Sequence, residues 1–260
     1  MAEVLNFEHN GITVNATESP EAMGGLGDNV IGLVGTAPKA HASIPKNAPF
    51  RINSFTTQAL LDPTGTESGT LFQAVYQILK VVKVPVYVVI VEEGATPADT
   101  INNVIGGNDP VTGRKLGLAA LSSVPEDLTI IGAPGFTATK AVAGEFASFG
   151  KRIKARVVLD GKDASVADQV TYSGELGGAD LGFDRCLLVH NMPSVYSKAA
   201  KKNVFLAPSS LAIAALAKVK QWESPGNQVT FAEDVSRVVE YNILDTSTEG
   251  DLLNRYGVSY

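Results

Sequence analysis

The chain is poor in the residues that would staple, anchor or metallate it. Cys186 is its one cysteine, so an intrachain disulfide is excluded. The three histidines, His9, His41 and His190, share no metal-ligand spacing with one another or with that cysteine, and no structural metal is expected. Apolar runs are short as well. The richest, 81–91, is interrupted by Lys83 and Pro85, so no stretch reaches the length that spans a bilayer, and no membrane insertion is expected. The opening MAEVLNFEHNG lacks both the basic start and the apolar stretch of a secretory signal, which points to synthesis in a cytoplasm. Positive charge is scarce: 21 Lys and Arg stand against 27 Asp and Glu, for a net charge of -6. Direct nucleic-acid binding is therefore not expected, and the one short basic run, Lys151-Arg152-Ile153-Lys154, suits the solvated end of a helix.

Hydrophobic residues make up 45% of the 260, enough to bury a sizeable core, while 25 glycines and 13 prolines give the backbone many places to turn. Residues 7–27 hold one short alternating stretch, Gly11-Ile12-Thr13-Val14-Asn15, followed by Pro20, Gly24, Gly25 and Gly27, a composition that makes no core of its own. The sequence changes character at Asn29. NVIGLVGTAP is expected as a buried strand ended by Pro38, and RINSF, at 51–55, as another. From Ser68 the spacing turns helical, with Leu71, Phe72, Val75, Ile78 and Leu79 on one face, and leads into the apolar strand PVYVVIVEEG.

The alternation then recurs. A short helix near 117–121 precedes DLTIIGAPGF, a helix over 139–149 precedes ARVVLDG, and a helix over 165–176 precedes DRCLLVHN. Strands that are apolar throughout and separated by amphipathic helices are buried on both faces, so the expected fold is α/β, a mostly parallel sheet flanked by helices, over 29–222. APSSLAIAALAKVKQ, at 207–221, closes that domain as a helix. Beyond Pro225-Gly226, over 223–260, NQVTF and SRVVEYNI alternate like two strands, DLLNRYG is a short helix, and GVSY looks like a strand with nothing after it to pair with.

An enzyme of this class would place its chemistry where Glu92, Glu93, Asp160 and His190 fall, each just after an expected parallel strand. Carboxylates and an imidazole within hydrogen-bond reach could exchange protons with a small ligand. Polar residues also end any buried strand as it meets solvent, and that reading asks for nothing more. No cofactor loop is expected: Gly25, Gly27 and Gly32 precede or interrupt the first strand, and Gly132-Ala133-Pro134-Gly135 has neither dinucleotide spacing nor a phosphate-loop lysine, so it suits a sharp turn. Cys186, inside an apolar strand, is expected to be an inert small hydrophobe.

Taken in order, HNGITV, VIVEEG, NVIGG, TGRKLGLAAL, IIGAPGF and DLLNRYGVSY resemble the contractile tail sheath proteins of Mu- and P2-type bacteriophages along nearly the whole chain. The resemblance implies a structural subunit, not an enzyme. It implies three parts: an extended N-terminal assembly arm (1–28), an α/β core (29–222), and a β-rich segment (223–260) that stops short of a further C-terminal domain. It further implies polymerisation around the tail tube and contraction that drives the tube through the host envelope. Its partners would be other sheath subunits, the tail tube protein, and baseplate and tail terminator proteins, in a virion tail assembled in the bacterial cytoplasm, with no cofactor. The allied possibility is the sheath of a phage-derived bacteriocin particle. Gly11, Ile12, Thr13, Val14 and Asn15 suit the arm, because an extended strand with alternating side chains can complete a neighbour's sheet edge through main-chain hydrogen bonds.

Overall fold

A computed structural model describes residues 29–260 except 163, 183–184, 221–222, 224–233, 237–238, 241 and 243–246. The first strand, β1 (Ile31–Thr36), is buried along its full length, and the chain then returns through β2 (Pro49–Ile52). The strand expected at 51–55 ends early, because the Ser54 side chain accepts the N–H of Thr57 and turns the chain into helix α1 (Phe55–Gln58). Helix α2 (Leu71–Val81) leads into β3 (Val86–Val91), again wholly buried.

Next comes a helix not expected from the sequence, α3 (Pro97–Ile105). Its start signal is present: Thr96 and Asp99 form a reciprocal capping box, and Pro97 stands at the first turn. The hairpin β4 (Gly107–Asn108) and β5 (Lys115–Leu116) follows, then a 3-10 segment, Gly117–Ser123, close to where a short helix was expected. Strand β6 (Ile130–Gly132), helix α4 (Lys140–Ile153), strand β7 (Arg156–Asp160), helix α5 (Val166–Leu176) and strand β8 (Cys186–Val189) continue the alternation.

After β8 the chain forms a second hairpin, β9 (Pro193–Ser197) with β10 (Lys202–Phe205), before helix α6 (Pro208–Lys218). Strand β11 (Asp234–Val235) adds to β9, giving a small antiparallel sheet ordered β10-β9-β11. Helix α7 (Glu249–Arg255) and strand β12 (Val258–Ser259) end the described chain. Of the two strands expected beyond Pro225, NQVTF lies outside the described residues, and SRVVEYNI does so in part.

The main sheet has seven strands in the order β12-β8-β7-β6-β1-β3-β2, parallel except for β2. Alternate residues of each strand face opposite layers. Ile31, Leu33, Val86, Val88, Ile90 and Val158 pack with Leu71, Val75 and Ile78 of α2 and with Ile213 and Ala214 of α6. Val34, Val89, Ile131, Val157 and Leu159 pack with Val104 of α3, Phe146 of α4, Tyr172 of α5 and Leu253 of α7. A sheet covered on both faces explains why its strands are apolar throughout.

The C-terminal strand pairs with a segment that precedes it in the chain. Val258 and Ser259 do have a partner, upstream: they lie parallel to Leu188 and Val189, and the His190 N–H donates to the Ser259 carbonyl at 2.8 Å. The α/β sheet therefore takes its last strand from beyond residue 222. A two-residue strand that pairs with a segment about seventy residues earlier leaves no periodic trace in the sequence.

Candidate functional site

Because β1, β3, β6, β7 and β8 are parallel, their C-terminal ends open on one side of the sheet, and the four residues weighed as catalytic lie along that edge. Asp160 ends β7 and is buried, and its carboxylate is engaged on every side. Oδ2 accepts the Gly135 N–H at 2.9 Å and the Thr137 hydroxyl at 2.7 Å, while Oδ1 accepts the Ser209 N–H at 2.8 Å. Thr137 accepts the Asp160 N–H in return, at 2.8 Å, and the Tyr172 hydroxyl donates to the Thr137 carbonyl at 2.7 Å. Burial pushes the Asp160 carboxyl up, and the hydrogen bonds from Ser209, Thr137 and Gly135 oppose it. This carboxylate ties the β6–α4 turn, the end of β7 and the first turn of α6 into one knot. It serves as a structural clamp.

His190 follows β8, the strand beside β7, and is also buried. The two glutamates lie elsewhere. They follow β3, which stands three strand positions from β7, a separation of about 14 Å at the usual strand spacing. Glu92 is exposed and forms an ion pair with Lys46 at 2.5 Å, and that lysine's hydrogen bond and charge hold its carboxyl below the usual range. Glu93 is exposed, and the two glutamates border different surface clefts. The structure therefore brings Asp160 and His190 to adjacent strands and leaves Glu92 and Glu93 apart from them. A shared proton-transfer centre made of all four is not formed.

A cleft of about 650 Å³ opens beside the Asp160 knot, between the starts of α2 and α6 and the β9–β10 hairpin, and Gln73, Ala74, Pro134, Phe205 and Ser210 help to line it. Glu67 borders it with φ at 57°, an unusual backbone conformation for a non-glycine residue. Both of its carboxylate oxygens are used: Oε2 accepts the Ser197 hydroxyl at 2.5 Å and Oε1 the Lys198 N–H at 3.1 Å. The loop before α2 thereby grips the β9–β10 turn. Thr137, Ser209 and Glu67 carry these contacts without any motif that could have drawn attention to them; of this set, only Asp160 announced itself, by ending an apolar strand.

The remaining sequence candidates are dispersed. Cys186 is buried in β8. His41 lies in an exposed loop, with Nδ1 at 2.8 Å from the Ser43 hydroxyl. Gly132-Ala133-Pro134-Gly135 leaves β6 in a turn, with Gly135 at φ 85° and its N–H spent on Asp160. Among the described residues no three His, Cys, Asp or Glu side chains gather as a metal site would. Among those residues, too, no helix is long and apolar enough to cross a membrane. His9 and the arm residues Gly11, Ile12, Thr13, Val14 and Asn15 lie outside the described residues.

No protein-family model matches the chain. A Pseudomonas aeruginosa (strain UCBPP-PA14) protein named as a prophage major tail sheath protein is 27% identical over an aligned length of 269, an alignment that covers 98% of this chain and 66% of that protein. Among solved structures, the anti-feeding prophage baseplate contains a chain of the same fold, with a TM-score of 0.55 and 18% identity over 91% of this chain and 60% of its own. The contracted PVC sheath complex of an extracellular contractile injection system gives a TM-score of 0.52 and 12% identity, over 87% of this chain and 56% of its own. This chain spans no more than 66% of the length of any of these three relatives. Over nearly its whole length, then, the chain resembles a prophage tail sheath protein in sequence, and its α/β body shares its fold with chains of the anti-feeding prophage baseplate and of the PVC sheath complex.

Proposed function

We propose that this chain is a non-catalytic structural subunit of a contractile tail sheath, one that polymerises around a tail tube and drives it through a host envelope on contraction. The observation that carries the reading is the sheath-protein likeness over 98% of the chain, joined to a fold shared with contractile injection systems. The engaged carboxylate of Asp160 and its separation from Glu92 and Glu93 speak against a proton-transfer centre built from these residues. Open helical arrays need head-to-tail contacts that do not close on themselves. In this proposal the strand Gly11-Ile12-Thr13-Val14-Asn15 supplies such a contact by adding to a neighbour's sheet edge. Further partners are the tail tube, baseplate and tail terminator proteins, within a particle tail assembled in the bacterial cytoplasm.

The test is incorporation. An epitope-tagged chain produced in its source bacterium should sediment with contractile particles, with label repeating along the tail in electron micrographs. Replacing the strand's apolar face, Ile12→Asp with Val14→Asp, should leave the chain folded and remove it from the particle fraction. A tagged chain found only among free proteins would overturn the sheath assignment, and a doubly substituted chain that still incorporates would overturn the role of the strand.

A further inference from the structure

The chain's negative charge is unevenly placed. Residues 1–28 contain Glu3, Glu8, Glu18, Glu21 and Asp28 and no lysine or arginine, so they account for five of the six net negative charges. The rest of the chain is nearly balanced, yet one part of it is strongly positive. Arg152 in the last turn of α4, Lys154 just after it, Arg156 at the start of β7 and Arg185 just before β8 collect at the N-terminal edge of the sheet.

Several observations fix that cluster in place. Lys154 and Arg185 both sit in the left-handed region, with φ at 61° and 62°, and the Arg185 Nη1 donates to the Lys154 carbonyl at 3.1 Å. Arg152 lies over the Phe149 ring, 4.9 Å from its centroid. Arg156 is half-buried, and its guanidinium is lowered from its ordinary pKa by burial and by the charge of Arg185. Among the described residues none of these four cations has an ion pair, and Asp127, which precedes β6 on the same edge, reaches none of them. The end of a helix welcomes a cation or two. It does not account for Arg156 and Arg185 brought together from two other strands with no counter-charge.

The acidic segment leaves the body at this same edge. Ile31, at the start of β1, is in register with Ile130 of β6, which is in register with Arg156 of β7. Two strand spacings, about 10 Å, therefore separate the exit of residues 1–28 from the cluster. Attachment at that distance gives the segment an effective concentration of about millimolar or more without any second molecule. A long polyanion from outside would have no comparable advantage against a chain of net charge -6.

We propose that the acidic N-terminal segment, 1–28, docks on the basic cluster Arg152–Lys154–Arg156–Arg185 of its own chain, an electrostatic clasp that holds the segment home in the free subunit. The inference stands on charge and position and does not depend on the sheath reading. For an assembling chain, the clasp would withhold the strand at 11–15 from stray partners until a better edge competes for it.

Cleavage by a Glu-specific protease tests this in the intact chain, with the free peptide of residues 1–28 as the reference that cancels any effect of salt on the protease. In about 20 mM salt, cleavage after Glu18 and Glu21 should run about tenfold slower in the chain than in the peptide. In about 500 mM salt, where charges are screened within a few ångströms, the difference should vanish. Arg156→Glu with Arg185→Glu should abolish the protection, and Arg156→Lys with Arg185→Lys should keep it. Protection that is the same at all protein concentrations supports the clasp. Protection that grows with concentration would assign the segment to a second copy and overturn it, as would cleavage at the peptide's rate, or protection that neither salt nor charge reversal affects. Should the reversed variant not fold, the salt and concentration series on the unaltered chain still decides.

Discussion

At the scale of single residues, the buried polar groups are the most consequential. Asp160 accepts from three donors, two backbone N–H groups and a hydroxyl. Removing the carboxylate strands the two buried donors, the Thr137 hydroxyl and the Ser209 N–H, while Gly135 borders the cleft, and each buried unsatisfied donor costs about 1–3 kcal/mol. Asp160→Ala should therefore destabilise the fold by about 2 kcal/mol or more, seen as a lower urea midpoint. Asp160→Asn should rescue little of it, because half of its amide is a donor facing donors. Asp62 plays a related part in the loop before α2. Burial alone would raise its carboxyl, but the hydroxyls of Thr64 and Thr66 and the N–H groups of Ser68 and Thr64 outweigh burial and hold it down at about 2. That loop is thus kept in shape by one side chain, and it presents Glu67 to the β9–β10 turn.

Among the elements, α4 separates helix propensity from packing, because it contains two glycines with opposite surroundings. A Cβ on Gly144 would meet nothing within 4 Å, whereas a Cβ on Gly150 would stand 2.2 Å from Val157 Cγ2, a buried atom of β7. Propensity alone favours alanine at both positions by up to about 1 kcal/mol. Gly144→Ala should accordingly raise stability by about 0.5–1 kcal/mol. Gly150→Ala should lower it by about 1–3 kcal/mol, since the helix must back away from the sheet. Thermal unfolding of the two variants beside the parent reads the difference in sign directly. The same pairing explains what was legible in this stretch: the sequence announced a helix over 139–149, but nothing in it told the close-contact glycine from the open one. Helix α3 was missed for another reason. Its apolar positions are few, with Val104 its one buried side chain, so periodicity was weak even though the capping box at Thr96 and Asp99 was present.

For the molecule as a whole, the sheet is closed at one end by a strand of two residues. Val258 is buried, and β12 covers the main-chain groups of β8 that would otherwise form an open edge. Ending the chain at Tyr256 should cost about 2 kcal/mol from the lost burial of Val258 alone. It should also make the protein scatter more light than its parent on mild heating, as the exposed β8 edge recruits other copies. The α/β class, the parallel strands and their flanking helices followed from the sequence because a strand buried on both faces has no polar side to show. The apolar runs at 31–36, 86–91 and 156–160 carry that signature in their own residues. Strand order, the return of the C-terminus to the sheet, and which of Glu92, Glu93, Asp160 and His190 would meet were decided by the tertiary structure. Each depends on segments tens to hundreds of residues apart, and local spacing carries no record of which distant edge a strand will choose.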